Sequence, residues 1–250
     1  MFKEYSRIYD LCNADKDYAK EVEYVDGLIR NYRPGANDVL DMGSGTGIHA
    51  FMLAKKKYNL LGVELSQEMV NQAIHKYGNV EARLEFLRED IRKFRTTRRF
   101  DVALSLFHVI SYQVTDEDLM SAFAAAREHM LPEGIFIFDV WYGPAVLSDR
   151  PRVRVKRMKN ASTTVVRIAE PIHDVNENTV QVNYTIQTRE DSSGMVREIE
   201  EAHLLRYFFL PEIRAMLARS GLRLINAHGW LSQEPLSDKT WSACIIAKKE

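Results

Sequence analysis

The chain has 250 residues, of which 46% are apolar and 28% charged, and its net charge is -1. That is ample apolar content for a folded core, and too little charge imbalance for a disordered chain or for a protein built to bind nucleic acid or an anionic membrane. No apolar run approaches the roughly 18 residues of a membrane span, and the two cysteines, Cys12 and Cys244, make neither a disulfide framework nor a metal cluster. Met1 to Tyr9 carries charges where a signal peptide has its apolar segment, so a cytoplasmic protein is expected.

Apolar positions at Val22, Val25, Leu28 and Ile29 predict a helix over 16–33, stopped by Pro34-Gly35. A short apolar strand over 37–42 runs into Gly43-Ser44-Gly45-Thr46-Gly47, after which a helix is expected over 48–57. Strand and helix then alternate: strands at 60–65, 84–88, 100–106 and 135–140, helices at 67–76 and 116–130, with Pro132-Glu133-Gly134 read as a turn. This alternation favours a doubly wound, mostly parallel sheet, on which ligands bind beyond the carboxyl ends of the strands.

The period changes near residue 150. Segments 151–159, 162–173, 179–189 and 195–207 alternate apolar and polar, as in Val180, Val182, Tyr184 and Ile186 against Gln181, Asn183, Thr185 and Gln187. The breaks between them, at Asn160, Asn176-Glu177-Asn178 and Ser192-Ser193-Gly194, are turn chemistry. An antiparallel β insertion is therefore expected. A helix over 211–220 and two strands over 222–230 and 241–248 close the chain, completing a seven-stranded sheet. The expected organisation is an N-terminal helical lid (1–36), a nucleotide-binding core (37–149), the insertion (150–207) and a C-terminal return to the core (208–250).

The glycine loop carries the most chemistry. Its spacing, G-x-G-x-G, is not the G-x-G-x-x-G of nicotinamide sites, and no Lys-Ser/Thr follows it as in a P-loop. Asp41, two residues before the first glycine, would repel a pyrophosphate and suits a cationic ligand. Glu64, at the end of the second strand, stands about 20 residues after the loop, where an acid accepts ribose hydroxyls. Asp90, after the third strand, either accepts from an adenine amino group or caps a helix.

On these residues the sequence resembles the class I S-adenosylmethionine-dependent methyltransferases, over about 37–140. The resemblance implies a Rossmann-like methyltransferase fold and S-adenosyl-L-methionine as cofactor, held by Tyr18, Asp41, Gly43, Ser44, Gly45, Gly47, Glu64, Leu65, Asp90, Ile91 and Leu106. It places Ser105-Leu106-Phe107-His108 beside the transferred methyl. Ile8-Tyr9-Asp10, Lys16-Asp17-Tyr18, Phe138-Asp139-Val140-Trp141-Tyr142-Gly143-Pro144 and the β insertion are together most similar to sugar N-methyltransferases, which act on the amine of a nucleotide-linked amino sugar. One departure stands out: the family pattern carries His where this chain has Tyr112.

The resemblance thus implies a small-molecule acceptor, with O-methylation of a small metabolite or cofactor binding without turnover as alternatives. Tyr9, His108 and Tyr112 are the candidate catalytic groups, His108 being either a base or a histidine satisfied by backbone. Trp141 and Tyr142 either stack on a substrate base or cover the join to the insertion. Arg152 and Arg154 lie on one face of a basic strand with Lys156, which either meets an anionic substrate or faces solvent. No metal, nucleic-acid or membrane partner is expected, and a homodimer is left open.

Overall fold

A computed structural model describes residues 5–78 and 83–250, except the side chain of Arg7. Residues 1–4 of the expected lid, with most of the charged N-terminus, and the connection 79–82 lie outside the described residues.

The core sheet is built from β1 (Asp38–Met42), β2 (Asn59–Glu64), β3 (Leu84–Arg88), β4 (Phe100–Ser105), β5 (Met130–Trp141), β10 (Leu222–Gly229) and β11 (Ser242–Lys249), in the order β10-β11-β5-β4-β1-β2-β3. The first five run parallel, and β11 is antiparallel to both neighbours. The chain enters at β1 and winds outward both ways, so the switch point of the winding lies between β1 and β4. A crevice opens there beyond the strand ends.

Residue alternation divides the core between the two faces of the sheet. Leu40, Met42, Leu61 and Val63 pack with Phe123 of α5 (Asp116–His129), with Phe136 and Phe138 of β5, and with Leu217 of α7 (Leu210–Arg219). Val39, Leu60, Val102 and Leu104 pack with Val25 and Ile29 of α2 (Tyr18–Tyr32), with Leu53 of α3 (Ile48–Lys55) and with Val70 of α4 (Gln67–Tyr77). The polar entries to these helices are capped: Asp17, Ser66 and Thr115 accept from the backbone N–H groups of Lys20, Met69 and Asp118.

The insertion forms its own antiparallel sheet, β6 (Arg154–Lys159), β7 (Thr163–Asp174), β8 (Thr179–Glu190) and β9 (Val196–Arg206), paired in chain order. Its inner face, with Val165 and Ile186, packs on Tyr5 and on Cys12 of α1 (Ser6–Cys12).

Four features differ from expectation. The expected turn at Pro132-Glu133-Gly134 lies inside β5, where the register slips between Phe100↔Met130 and Val102↔Ile135 and Glu133 takes a positive φ. This is a bulge that absorbs proline and glycine without ending the strand. The short helices α1 and α6 (Gly143–Ser148) and a 3₁₀ turn over Val109–Tyr112 were not expected.

Candidate active site

The glycine loop leaves β1 at the switch point and turns back on β2, where Gly43 and Ser44 donate to the Val63 carbonyl at 2.7 and 3.0 Å. Gly43 has φ +92°, and a Cβ there would lie 2.6 Å from Val109. Gly45 also has positive φ, but a Cβ on it would meet no protein atom within 4 Å. Its open side faces the cleft it lines, which leaves room for a ligand to approach the backbone. Gly47 serves differently: a Cβ there would clash with Phe86 at 2.5 Å, so this glycine lets α3 pack on β3 and does not line the cleft.

Glu64 ties the loop to β2. Its carboxylate accepts from the Gly45 N–H at 3.1 Å and from the Ser66 N–H at 2.8 Å. Burial raises its pKa despite these bonds. Asp41 is 2% exposed, and burial, reinforced by the Glu64 charge, lifts its carboxyl to about 7. Burial of the two acids and the repulsion of Asp41 by Glu64 disfavour their ionised forms, and a nearby cation favours them. A cofactor carrying sulfonium and ammonium charges fits this donor set and the space beside Gly45.

A pH dependence follows. Both carboxyls titrate above their ordinary range in the protein alone, and a cationic ligand favours their ionised forms. Binding of S-adenosylmethionine should therefore release protons, and affinity should fall as pH drops through about 7, by up to about tenfold per unit for one linked proton. Calorimetric titrations between about pH 5.5 and 8.5 read this directly. A flat profile, or tighter binding at low pH, would count against it, and Asp41→Asn should flatten it.

From the loop, the cleft extends as a cavity of about 480 Å³ toward the antiparallel sheet. Tyr5, Tyr9, Asn13 and Tyr18 line it from the N-terminal segment, Leu106 to Val109 and Tyr112 from beyond β4, Trp141 from the end of β5, and Arg154, Arg167, Tyr184, His203 and Leu205 from the insertion. Burial raises the hydroxyl pKa of Tyr9, Tyr18 and Tyr112, so all three are protonated at neutral pH.

The turn after β4 is strained. Phe107 and His108 both have left-handed φ, +64° and +62°, a conformation costing of order 1–3 kcal/mol at a non-glycine residue. Asp139 of β5 holds it: its Oδ1 accepts from the His108 N–H at 3.2 Å, while Oδ2 lies 2.7 Å from His108 Nδ1. Burial pushes the Asp139 carboxyl up, but His108 more than offsets this and the net pKa is low. Lys16 caps the same turn, its ammonium 3.5 Å from the Phe107 ring centre and 2.9 Å from Glu21. His49, in the first turn of α3, lines the cleft with its Nε2 2.7 Å from the Glu21 carboxylate.

The structure therefore brings together Tyr9, Tyr18, Gly43, Ser44, Gly45, Glu64, Leu106, His108, Tyr112, Trp141 and Arg154 on one cleft. Other expected site residues lie outside its lining. Asp90 is committed to Arg92, which donates to it from Nε at 2.9 Å and from Nη2 at 2.6 Å. Asp41 is buried behind the glycine loop and does not line the cleft, Ile91 is buried in the core, and Leu65 is exposed. Tyr142 packs against the core. Arg152 is exposed, 3.5 Å from Asp149, and Lys156 donates to the Cys12 carbonyl and Asp15 instead of to the cleft. Asp139, Arg167, Tyr184 and His203 were missed. Their signals were an acid inside the apolar run Ile135 to Val140 and polar residues on the inward parity of alternating strands.

Comparison with known proteins agrees with this architecture. Residues 39–134 match the family model described as a methyltransferase domain. The chain carries a methyltransferase domain. S-adenosylmethionine is its methyl donor, supplying the methyl as an activated sulfonium substituent. Over 228 residues the enzyme is 29% identical to a dTDP-3-amino-3,4,6-trideoxy-alpha-D-glucopyranose N,N-dimethyltransferase of Streptomyces venezuelae, covering 90% of this chain and 93% of the relative. It is 28% identical to a dTDP-3-amino-3,6-dideoxy-alpha-D-glucopyranose N,N-dimethyltransferase of Streptomyces fradiae, covering 88% and 84%. An S-adenosylmethionine-dependent methyltransferase from Clostridium acetobutylicum shares the fold, with a TM-score of 0.83, 22% identity and 99% and 98% coverage. No helix among the described residues is long and apolar enough to cross a membrane.

Proposed function

We propose that this methyltransferase acts on the amine of a nucleotide-linked amino sugar. The carrying observation is the composition of the cleft: Tyr9 and Tyr112 line it together with two arginines of the insertion, Arg154 and Arg167. Protonated hydroxyls suit a neutral amine, and guanidinium groups suit a diphosphate. Arg167 is preorganised, donating to the Tyr5 hydroxyl at 3.0 Å and lying over the Tyr184 ring. Trp141 offers an aromatic wall. The activities of the Streptomyces relatives, both on dTDP-linked amino sugars, support the same substrate class. We further take the enzyme to be cytoplasmic, which suits two buried free thiols.

One observation favours a second reading. His108 paired with a buried Asp139 is an arrangement able to take a proton from a hydroxyl, and that would make the enzyme an O-methyltransferase. The two are separated by incubating enzyme and S-adenosylmethionine with dTDP-linked amino sugars and, in parallel, with the corresponding hydroxy sugars and small alcohols. Mass gain of a methyl is read on each acceptor. Methylation confined to hydroxyl acceptors would overturn the amine reading.

A further inference from the structure

Behind Tyr112 lies a chain of polar groups that the reading above does not use. The Tyr112 hydroxyl is 2.8 Å from His203 Nδ1, and His203 Nε2 is 3.1 Å from a Glu201 carboxylate oxygen. His203 is 2% exposed. A carboxylate only accepts, so Nε2 carries the ring proton and donates to Glu201. In the neutral ring Nδ1 is then an acceptor, and it takes the Tyr112 O–H. The tautomer is thus fixed by Glu201 from behind. The sequence positions are 91 apart for Tyr112 and His203, on different elements, and the contact exists only because β9 lies against the turn after β4.

We propose that Glu201, His203 and Tyr112 form a proton relay that accepts the proton of the acceptor ammonium inside the cleft. It rests on the amine reading above. An amine arriving as R–NH3+ has no lone pair for the methyl. In the relay, the N–H bond breaks and its proton passes to the Tyr112 oxygen. The O–H bond of Tyr112 breaks in the same event, and that proton passes to His203 Nδ1. Tyr112 ends neutral, the amine ends as R–NH2 with its lone pair free, and the new imidazolium is stabilised by Glu201. The groups facing His203 among the described residues are Tyr112 from the 3₁₀ turn, Tyr184 from β8, Tyr5 ahead of α1 and Glu201 on its own strand. Arg167 of β7 lies beyond Tyr184. Tyrosines stay neutral across the working range, and Glu201 is a charged group in hydrogen-bond contact with the imidazole. His203 and Glu201 act through Tyr112 and are positioning residues for it.

The test separates relay from scaffold. In His203→Asn the side-chain oxygen still accepts from the Tyr112 hydroxyl but cannot take up a proton. Its kcat/KM should fall roughly 10²-fold below the pKa of the free amine and recover toward wild type as pH rises above it. Tyr112→Phe should show the same pH-dependent rescue, and S-adenosylmethionine affinity should be unchanged in both. A loss that is uniform across pH, or no loss, overturns the relay. A second measurement needs no acceptor: ¹⁵N shifts of the wild-type imidazole should report the Nε2–H tautomer, shifting in Glu201→Gln, and an Nδ1–H tautomer overturns the proposal. If the expected tautomer is found but the wild type methylates hydroxyls alone, the amine reading fails and the relay for ammonium falls with it. If amines are methylated and the pH profiles run parallel, only the relay fails.

Discussion

Gly45→Val is expected to abolish S-adenosylmethionine binding while leaving a folded protein. The backbone at Gly45 is left-handed, where a β-branched residue is strained, at a cost of order 1–3 kcal/mol. That cost is tolerable for a core whose two faces are closed by Phe123, Phe136, Phe138 and their partners. The larger effect comes from position. A Cβ at Gly45 meets no protein atom within 4 Å, so valine methyls occupy the open side of the loop and not the core. Gly45→Ala serves as the graded control, adding one methyl to the same space. Calorimetric titration gives the affinity and a thermal melt reports folding. Retained affinity in a folded valine variant would show that the cofactor does not pass this side of the loop.

Removing His108 distinguishes the two acceptor chemistries with the largest spread of outcomes. If the acceptor is an amine, most of the rate comes from alignment with the sulfonium and exclusion of water. His108→Ala then costs roughly tenfold or less, well below the roughly 10²–10⁴-fold of general-base catalysis. Part of even this loss would be positional, since His108 anchors a strained turn through Asp139. Asp139→Asn keeps an acceptor for the His108 N–H and removes the charge, so it separates the two contributions. If the acceptor is a hydroxyl, His108→Ala becomes the most damaging change in the cleft. Single-turnover methyl transfer across pH decides. A loss above about 10³-fold with intact cofactor affinity would establish His108 as the base.

The part of the site made by local backbone was legible in the sequence. Glycine at 43, 45 and 47 marked three positive-φ positions, and the acids Asp41 and Glu64 sat at strand ends that apolar runs made visible. Gly47 shows the limit: its spacing suggested a ligand, whereas its missing side chain accommodates Phe86. The expectation for Asp90 could not foresee Arg92, two residues on, claiming both carboxylate oxygens. What the sequence hid were relations across elements. Tyr112 meets His203, and His108 meets Asp139, only once two sheets and a turn are assembled. Helix α1 was missed because it is seven residues long and has no side-chain cap at its start, so its existence depends on packing against the insertion sheet.

That same helix has a consequence for how the enzyme cycles. Asp10 of α1 accepts from the Thr46 hydroxyl of the glycine loop at 2.7 Å and pairs with Lys76 of α4, while Tyr5 and Cys12 bury themselves in the insertion sheet. The helix is thus a latch with its strong side on the acceptor wall and its weak side on the donor wall. The weak side includes two hydrogen bonds, Thr46 to Asp10 and Gln72 to the Ser6 carbonyl, each worth about 0.5–1.5 kcal/mol, and one partly exposed ion pair, worth about 0–1 kcal/mol. If the latch lifts, these polar contacts are expected to give way before the apolar seam does, so that α1 stays with the insertion sheet while the glycine loop is uncovered.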